Sequence, residues 1–204
     1  MATIPDCKIN VIKQLYTAEK MSAREIAEKL NFSLNAVYYT LRKHQVQRRS
    51  LKESAAASFA NKPLSFTIKK KLTADDEKLL ISGALLYWAE GYKTDKSPGI
   101  DFANSDVAMQ KLFIKFLRVI CGIDESRLRI LLYTHSNKNK KNQMKFWSTQ
   151  LAIPLTQFTN PYISPLGRLE KNDKMPYGLV HVRYYDKKLL RQVIVWIEQI
   201  KNQI

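Results

Sequence analysis

The sequence predicts an α+β protein: an N-terminal three-helix domain, then a longer domain ordered helix, strand, strand, helix, strand, strand, helix around an antiparallel sheet. Three observations predict this. Apolar residues repeat at helical spacing three times within residues 8–45. Two later segments, Arg127–Tyr133 and Leu179–Tyr185, alternate apolar and polar residues as half-buried strands do. Amphipathic or apolar helical patterns flank those strands. With 204 residues, 45% of them hydrophobic, the chain can bury a core, which excludes wholesale disorder.

The first helix is marked by Ile9, Ile12, Leu15 and Tyr16. In Ser22-Ala-Arg-Glu25 the serine hydroxyl and the glutamate carboxylate each satisfy the other's free backbone amide, so a second helix starts there. It turns Ile26, Ala27 and Leu30 inward and stops at Asn31, a residue type that tolerates the left-handed conformation. Ser33 caps a third helix whose inward face is Leu34, Val37 and Leu41. A small residue (Ala27) ahead of the turn and a branched one (Val37) after it are what two crossing helices need. This spacing resembles a helix-turn-helix of the resolvase-like or winged-helix kind, which usually carries glycine where Asn31 stands.

In such a motif the third helix enters the major groove, its N-terminal residues nearest the base edges. The predicted DNA contacts here are Ser33, Asn35, Tyr39, Arg42 and Lys43. A carboxamide such as that of Asn35 matches the N6 and N7 of adenine, while Arg42 and Lys43 suit phosphate. The alternative is a three-helix bundle for protein contact, with solvating charges. Residues 1–50 form this domain and 51–74 a basic linker. Arg48 and Arg49, at the domain's end, either follow a phosphate strand or minor groove or are solvated. Within the linker Ala55 to Ala57 can extend a short helix that Lys62-Pro63 ends.

Charge supports a polyanionic partner. The chain has 34 Lys+Arg against 18 Asp+Glu, a net charge of +16, and a pI near 9.8. Up to residue 74 there are 14 basic and 5 acidic residues, and 20 against 13 after it, so both parts carry the surplus. No apolar run approaches the ~20 residues of a membrane span, and residues 1–14 lack a signal-peptide layout. Cys7 and Cys121 have no CxxC spacing, so neither a disulfide framework nor a cysteine zinc site is expected. A cytoplasmic, nucleoid-associated protein without a membrane partner is the expectation. There is no GxxxxGK[ST], GxSxG or HExxH motif.

Residues 75–204 make the second domain. Thr73-Ala-Asp-Asp76 caps its opening helix with acids in the first turn. The stretch Leu79–Gly91 is apolar on nearly every side and contains the small residues Ser82, Gly83 and Ala84, so one face should pack in its own domain and the other against something else. Glu90 ends it. A carboxylate against the negative end of the helix dipole costs roughly 0.3–1 kcal/mol, which a nearby cation would relieve. Tyr92–Thr94 and Ile100–Asn104 read as two strands about a turn at Ser97-Pro-Gly99. Leu112, Phe113, Phe116, Leu117 and Ile120 mark a helix of about four turns closed by Gly122. A helix with Phe146, Trp147 and Leu151 separates the two alternating strands, and Leu189, Val193, Ile197 and Ile200 form the last helix. Arg127, Arg129, His181 and Arg183 oppose the core on the strands, a face on which a duplex would lie unless it is simply solvated. Trp88, Trp147 and Trp196 hold apolar helical positions and are expected in the core.

That element order, with Gly83-Ala-Leu-Leu-Tyr-Trp-Ala-Glu-Gly91, resembles the LAGLIDADG homing-endonuclease family over roughly residues 75–202. The nine residues match the family's alanine, leucine, alanine, acid and glycine positions. They depart at the first position, at the inner glycine (Leu85 here) and at the earlier acid (Trp88 here). The resemblance implies that Glu90 binds a divalent cation, Mg²⁺, at the scissile phosphate and is the catalytic residue. One signature per chain implies a homodimer meeting through this helix, at Ser82, Gly83, Leu86 and Tyr87. It implies metal-dependent cleavage of double-stranded DNA at a pseudo-palindromic site. A non-catalytic DNA-binding regulator on the same scaffold is the alternative, since Trp88 replaces an acid and no catalytic lysine is recognisable. A single-stranded or RNA-binding module is a third reading, on charge alone.

Overall fold

The computed structural model describes residues 4–135, 139–164 and 175–203. The chain is α+β, and it divides into two compact units, Met1–Pro63 and Leu64–Ile204.

The first unit holds α1 (Asp6–Thr17), α2 (Ala23–Leu30), α3 (Leu34–Lys43) and α4 (Leu51–Asn61). The local signals behave as expected. Ser22 and Glu25 form a reciprocal capping box, Asn31 sits at φ 55° in the left-handed region, and the Ser33 hydroxyl accepts from the Ala36 amide. Ile12, Leu15, Tyr16, Ile26, Ala27, Val37 and Leu41 make the buried core of this unit, with Leu30 and Leu34 at its edge. A second capping box, Ser50 with Glu53, starts α4, and α4 falls within this unit rather than a linker, the Asn61 side chain donating to the Glu19 carbonyl. The boundary therefore falls after Pro63, beyond the expected residue 50.

Residues 64–72, also expected as linker, are a strap of the second unit. Phe66 bridges Ile123; the Thr67 and Lys69 amides donate to the Gly122 and Ile120 carbonyls. Phe66 is buried and Ile68 and Leu72 pack against the core. Gly122 has φ +52°, and a Cβ there would lie 2.3 Å from the Thr67 carbonyl oxygen, so the strap can approach only a glycine.

The strap leads into α5 (Ala74–Glu90), capped by the reciprocal Thr73–Asp76 box. β1 (Ile100–Asn104), α6 (Val107–Val119) and a single 3₁₀ turn (Glu125–Arg127) follow, then β2 (Arg129–His135) and α7 (Lys140–Leu151). A second 3₁₀ turn (Leu155–Gln157) precedes β3 (Tyr162–Ser164); β4 (Leu179–Tyr184) and α8 (Lys187–Lys201) close the unit. The sheet order is β1-β4-β2-β3. Pairings β1–β4 and β4–β2 are antiparallel, but β2–β3 is parallel. The sheet is thus mixed rather than antiparallel, because the chain returns from β2 through α7, the kind of crossover that parallel strands require. A strand at Tyr92–Thr94 does not form beyond a single bridge, Gly91 with Phe102. The chain turns at once, the Ser97 amide bonding the Thr94 carbonyl, and no length is left to pair.

Period two then decides the sheet faces. Ile100, Phe102, Ile130, Leu132, Val180, Val182 and Tyr184 are buried among the helices. Asp101, Ala103, Arg129, Leu131, Tyr133, His181 and Arg183 occupy the other face. Trp147 and Trp196 are in the core, whereas Trp88 is 37% exposed, contrary to expectation. Among the described residues no helix is long and apolar enough to cross a membrane.

Candidate nucleic-acid interface

In the first unit, committing Val37 and Leu41 to the core leaves Asn35, Tyr39, Arg42 and Lys43 exposed on α3, as expected. Ser33 is exposed ahead of them, its hydroxyl engaged as the helix cap. Sequence reasoning missed Tyr38. It is 40% exposed, one turn before Arg42 on the same side, and the Arg48 guanidinium lies 5.2 Å from its ring centroid. That i,i+4 spacing was the available signal.

Arg49 does something else. Its guanidinium donates to the Lys20 carbonyl at 2.6 Å and to the Met21 carbonyl, and lies 4.3 Å from the Tyr16 ring centroid. Its amide donates to the Tyr16 hydroxyl. Burial pushes that hydroxyl's pKa up, and the bonds and charge of Arg49 outweigh it, so the net shift is downward. Arg49 therefore pins the segment after α3 to the α1–α2 turn, and the expected phosphate contact narrows to Arg48.

On the sheet, Arg129, His181 and Arg183 share the outward face in register, with Arg129 and Asp101 on either side of Arg183. Arg127 is not among them. It precedes the strand, lies over the Tyr184 ring and donates to the Tyr185 carbonyl. Nor is the face uniformly basic. Asp101 Oδ1 is 2.7 Å from His181 Nδ1, and Oδ2 accepts from Arg183 Nε at 2.8 Å. Burial pulls the Arg183 pKa down, but the Asp101 carboxylate more than offsets it. His181 is 4% exposed rather than a surface residue, because Tyr92, Tyr133 and Asp101 surround it. Arg129 donates to the Ser126 and Leu128 carbonyls. Tyr133 was legible from the alternation that begins at Arg129; Tyr92 and Tyr162 join the face only through long-range pairing.

Glu90 ends α5 and is exposed. The cation that the helix end calls for is the chain's own: Lys93 Nζ donates to the Trp88 carbonyl at 2.7 Å and the Gly91 carbonyl at 2.9 Å. Within one chain Glu90 is the carboxylate that this helix end offers a divalent cation. Among the described residues no three His, Cys, Asp or Glu side chains come together.

The face of α5 expected to meet a second copy is also different. Gly83 packs on Phe116, and Tyr87 is fully buried, stacked on Phe113 with its hydroxyl bonded to the Tyr92 carbonyl. Desolvation raises the Tyr87 pKa. Leu86 packs at the core edge and Ser82 is half-buried. The outward apolar edge is instead Ile81, Leu85 and Trp88, spaced at four and three residues. Lys201 covers the Trp88 ring at 5.0 Å.

Comparison of the chain with family models, with curated proteins and with solved structures finds no match.

Proposed function

We propose that the protein binds double-stranded DNA through its N-terminal helix-turn-helix, with α3 in the major groove. The observation that carries this reading is the contiguous exposed face of Asn35, Tyr38, Tyr39 and Arg42 on a helix entered through a left-handed turn at Asn31. Asn35 reads adenine and Arg42, Lys43 and Arg48 contact phosphate. The net charge of +16 supplies the salt-dependent attraction. We infer further that two copies associate through Ile81, Leu85 and Trp88, which would match a pseudo-palindromic target.

Cleavage at Glu90 is the second reading. Its exposed carboxylate and the resemblance of Gly83–Gly91 favour it, and a cation held jointly by two chains would be needed. Lys93 weighs against it, since the helix end already has a positive partner. Binding without cleavage is therefore the reading supported best.

Selection of a duplex from a random library, followed by fluorescence anisotropy, tests both. Asn35→Ala should cost about 1–3 kcal/mol on the selected site and relax its sequence, whereas Arg42→Ala should weaken all duplexes and flatten the salt dependence. Unchanged affinity in both variants refutes the α3 reading. Mg²⁺-dependent nicking by the wild type that Glu90→Gln abolishes, with binding retained, would establish the nuclease instead.

A further inference from the structure

Four aromatic rings cross the outward face of the sheet in one row. Tyr92 stacks on His181 with centroids 5.9 Å apart, His181 meets Tyr133 at 4.4 Å, and Tyr133 meets Tyr162 at 4.8 Å. The pairings explain the row. Gly91 bridges Phe102, which puts Tyr92 beside Asp101 on the outward side of β1. Ala103 is opposite His181 on β4, and its small side chain leaves that ring free for Tyr92. Tyr133 of β2 is opposite Tyr162 of β3. The middle of the row is held rigidly, because Asp101 fixes the His181 imidazole. Its ends are open, with Tyr92 52% and Tyr162 55% exposed.

A solvated sheet face ordinarily alternates polar residues outward, and the exposed tyrosines that end this row are costly unless something covers them. The charges say what kind of ligand does so. A duplex offers phosphates and groove edges to a flat surface, and it would ask for free cations at the centre of this face. The centre instead holds a carboxylate that neutralises Arg183, while Arg129 is partly spent on backbone carbonyls. A single strand carries half the phosphate density of a duplex and adds base stacking to its affinity, so rings beside a partly engaged Arg129 suit it better.

We propose that this face is a stacking platform for the unpaired bases of single-stranded DNA, with Tyr92 and Tyr162 as its open ends. The choice of DNA over RNA rests on the reading of α3 above.

The test uses the full chain, with labelled oligodeoxythymidine of about 12 nucleotides, uridine RNA of the same length, and the selected duplex. Tyr92→Ala and Tyr162→Ala should each weaken oligodeoxythymidine binding about tenfold and together about a hundredfold, leaving duplex affinity and the melting curve unchanged. The tyrosine-dependent part should persist at raised salt, where phosphate contacts are screened. Arg42→Ala should do the reverse, so the two readings fail separately. Wild-type affinity for the single strand in the double variant overturns the proposal, as does an equal loss on duplex and single strand. Tighter binding of the RNA than of the DNA overturns the choice of polymer.

Discussion

The ammonium of Lys93 donates a 2.7 Å hydrogen bond to the main-chain carbonyl of Trp88. Two residues further along α5 stands Glu90, an acid at the end of the helix that disfavours one. Lys93 therefore balances locally what the sequence alone suggested an external cation would balance. Lys93→Met should lower stability by about 0.5–1 kcal/mol, and Glu90→Gln should leave it unchanged or raise it by a similar amount. Urea denaturation at low salt measures both. A clear loss of stability in Glu90→Gln would mean that the carboxylate has a stabilising partner.

Gly83 is dictated by packing. A Cβ at that position would fall 2.2 Å from Phe116 Cγ, and the Phe116 ring is fully buried. Gly83→Ala should cost about 1–3 kcal/mol through forced repacking, despite the helix propensity that alanine adds. Leu85→Ala, on the outward edge, should cost less than Gly83→Ala in the same denaturation series. If two copies meet on that edge, Leu85→Glu should halve the mass seen by light scattering and keep the fold. An unaltered dimer in Leu85→Glu would place the association elsewhere.

Asp76 ties the strap to the start of α5. It accepts from the Lys69 ammonium at 2.7 Å and from the Thr73 amide and hydroxyl at 2.9 and 2.8 Å. The Lys69 bond first, then those from Thr73, hold its carboxyl pKa down at about 2, below the ordinary 3.8. A carboxyl depressed in the folded state stabilises it above the unfolded value, and that contribution disappears as pH falls from near 3.8 through about 2. Asp76→Asn should therefore lower the urea midpoint at neutral pH, and its deficit against wild type should shrink across that acid interval. A deficit independent of pH would assign the effect to lost capping alone.

Arg48 and Arg49 are adjacent in sequence and should separate in experiment. Arg49→Ala removes two bonds to the α1–α2 turn and the contact over Tyr16, and should cost about 1–3 kcal/mol of stability in the first unit. Arg48→Ala should leave stability within about 0.5 kcal/mol and weaken duplex binding. Thermal unfolding by circular dichroism, beside anisotropy, distinguishes them; equal stability losses would refute the assignment.

Local chemistry was legible in the residues themselves. The boxes at Ser22–Glu25 and Thr73–Asp76, the left-handed turn at Asn31, and the inward faces of α3, α6 and α8 need only neighbours within a turn or two, so spacing suffices to read them. The equivalent box at Ser50–Glu53 carried the same signal and went unread beneath a basic, alanine-rich composition. Tertiary structure alone decided what depends on distant partners. A helix as apolar as α5 has no unique inward side until Phe116 claims Gly83 and leaves Ile81, Leu85 and Trp88 outside. The strap at Phe66 is unremarkable until Ile123 pairs with it. His181 stands on the outward side of its strand, as alternation requires, yet is buried, because Tyr92, Asp101 and Tyr133 arrive from three other segments. Alternation assigns a side chain to a face of the sheet; only the strands packed beside it determine whether that face meets water.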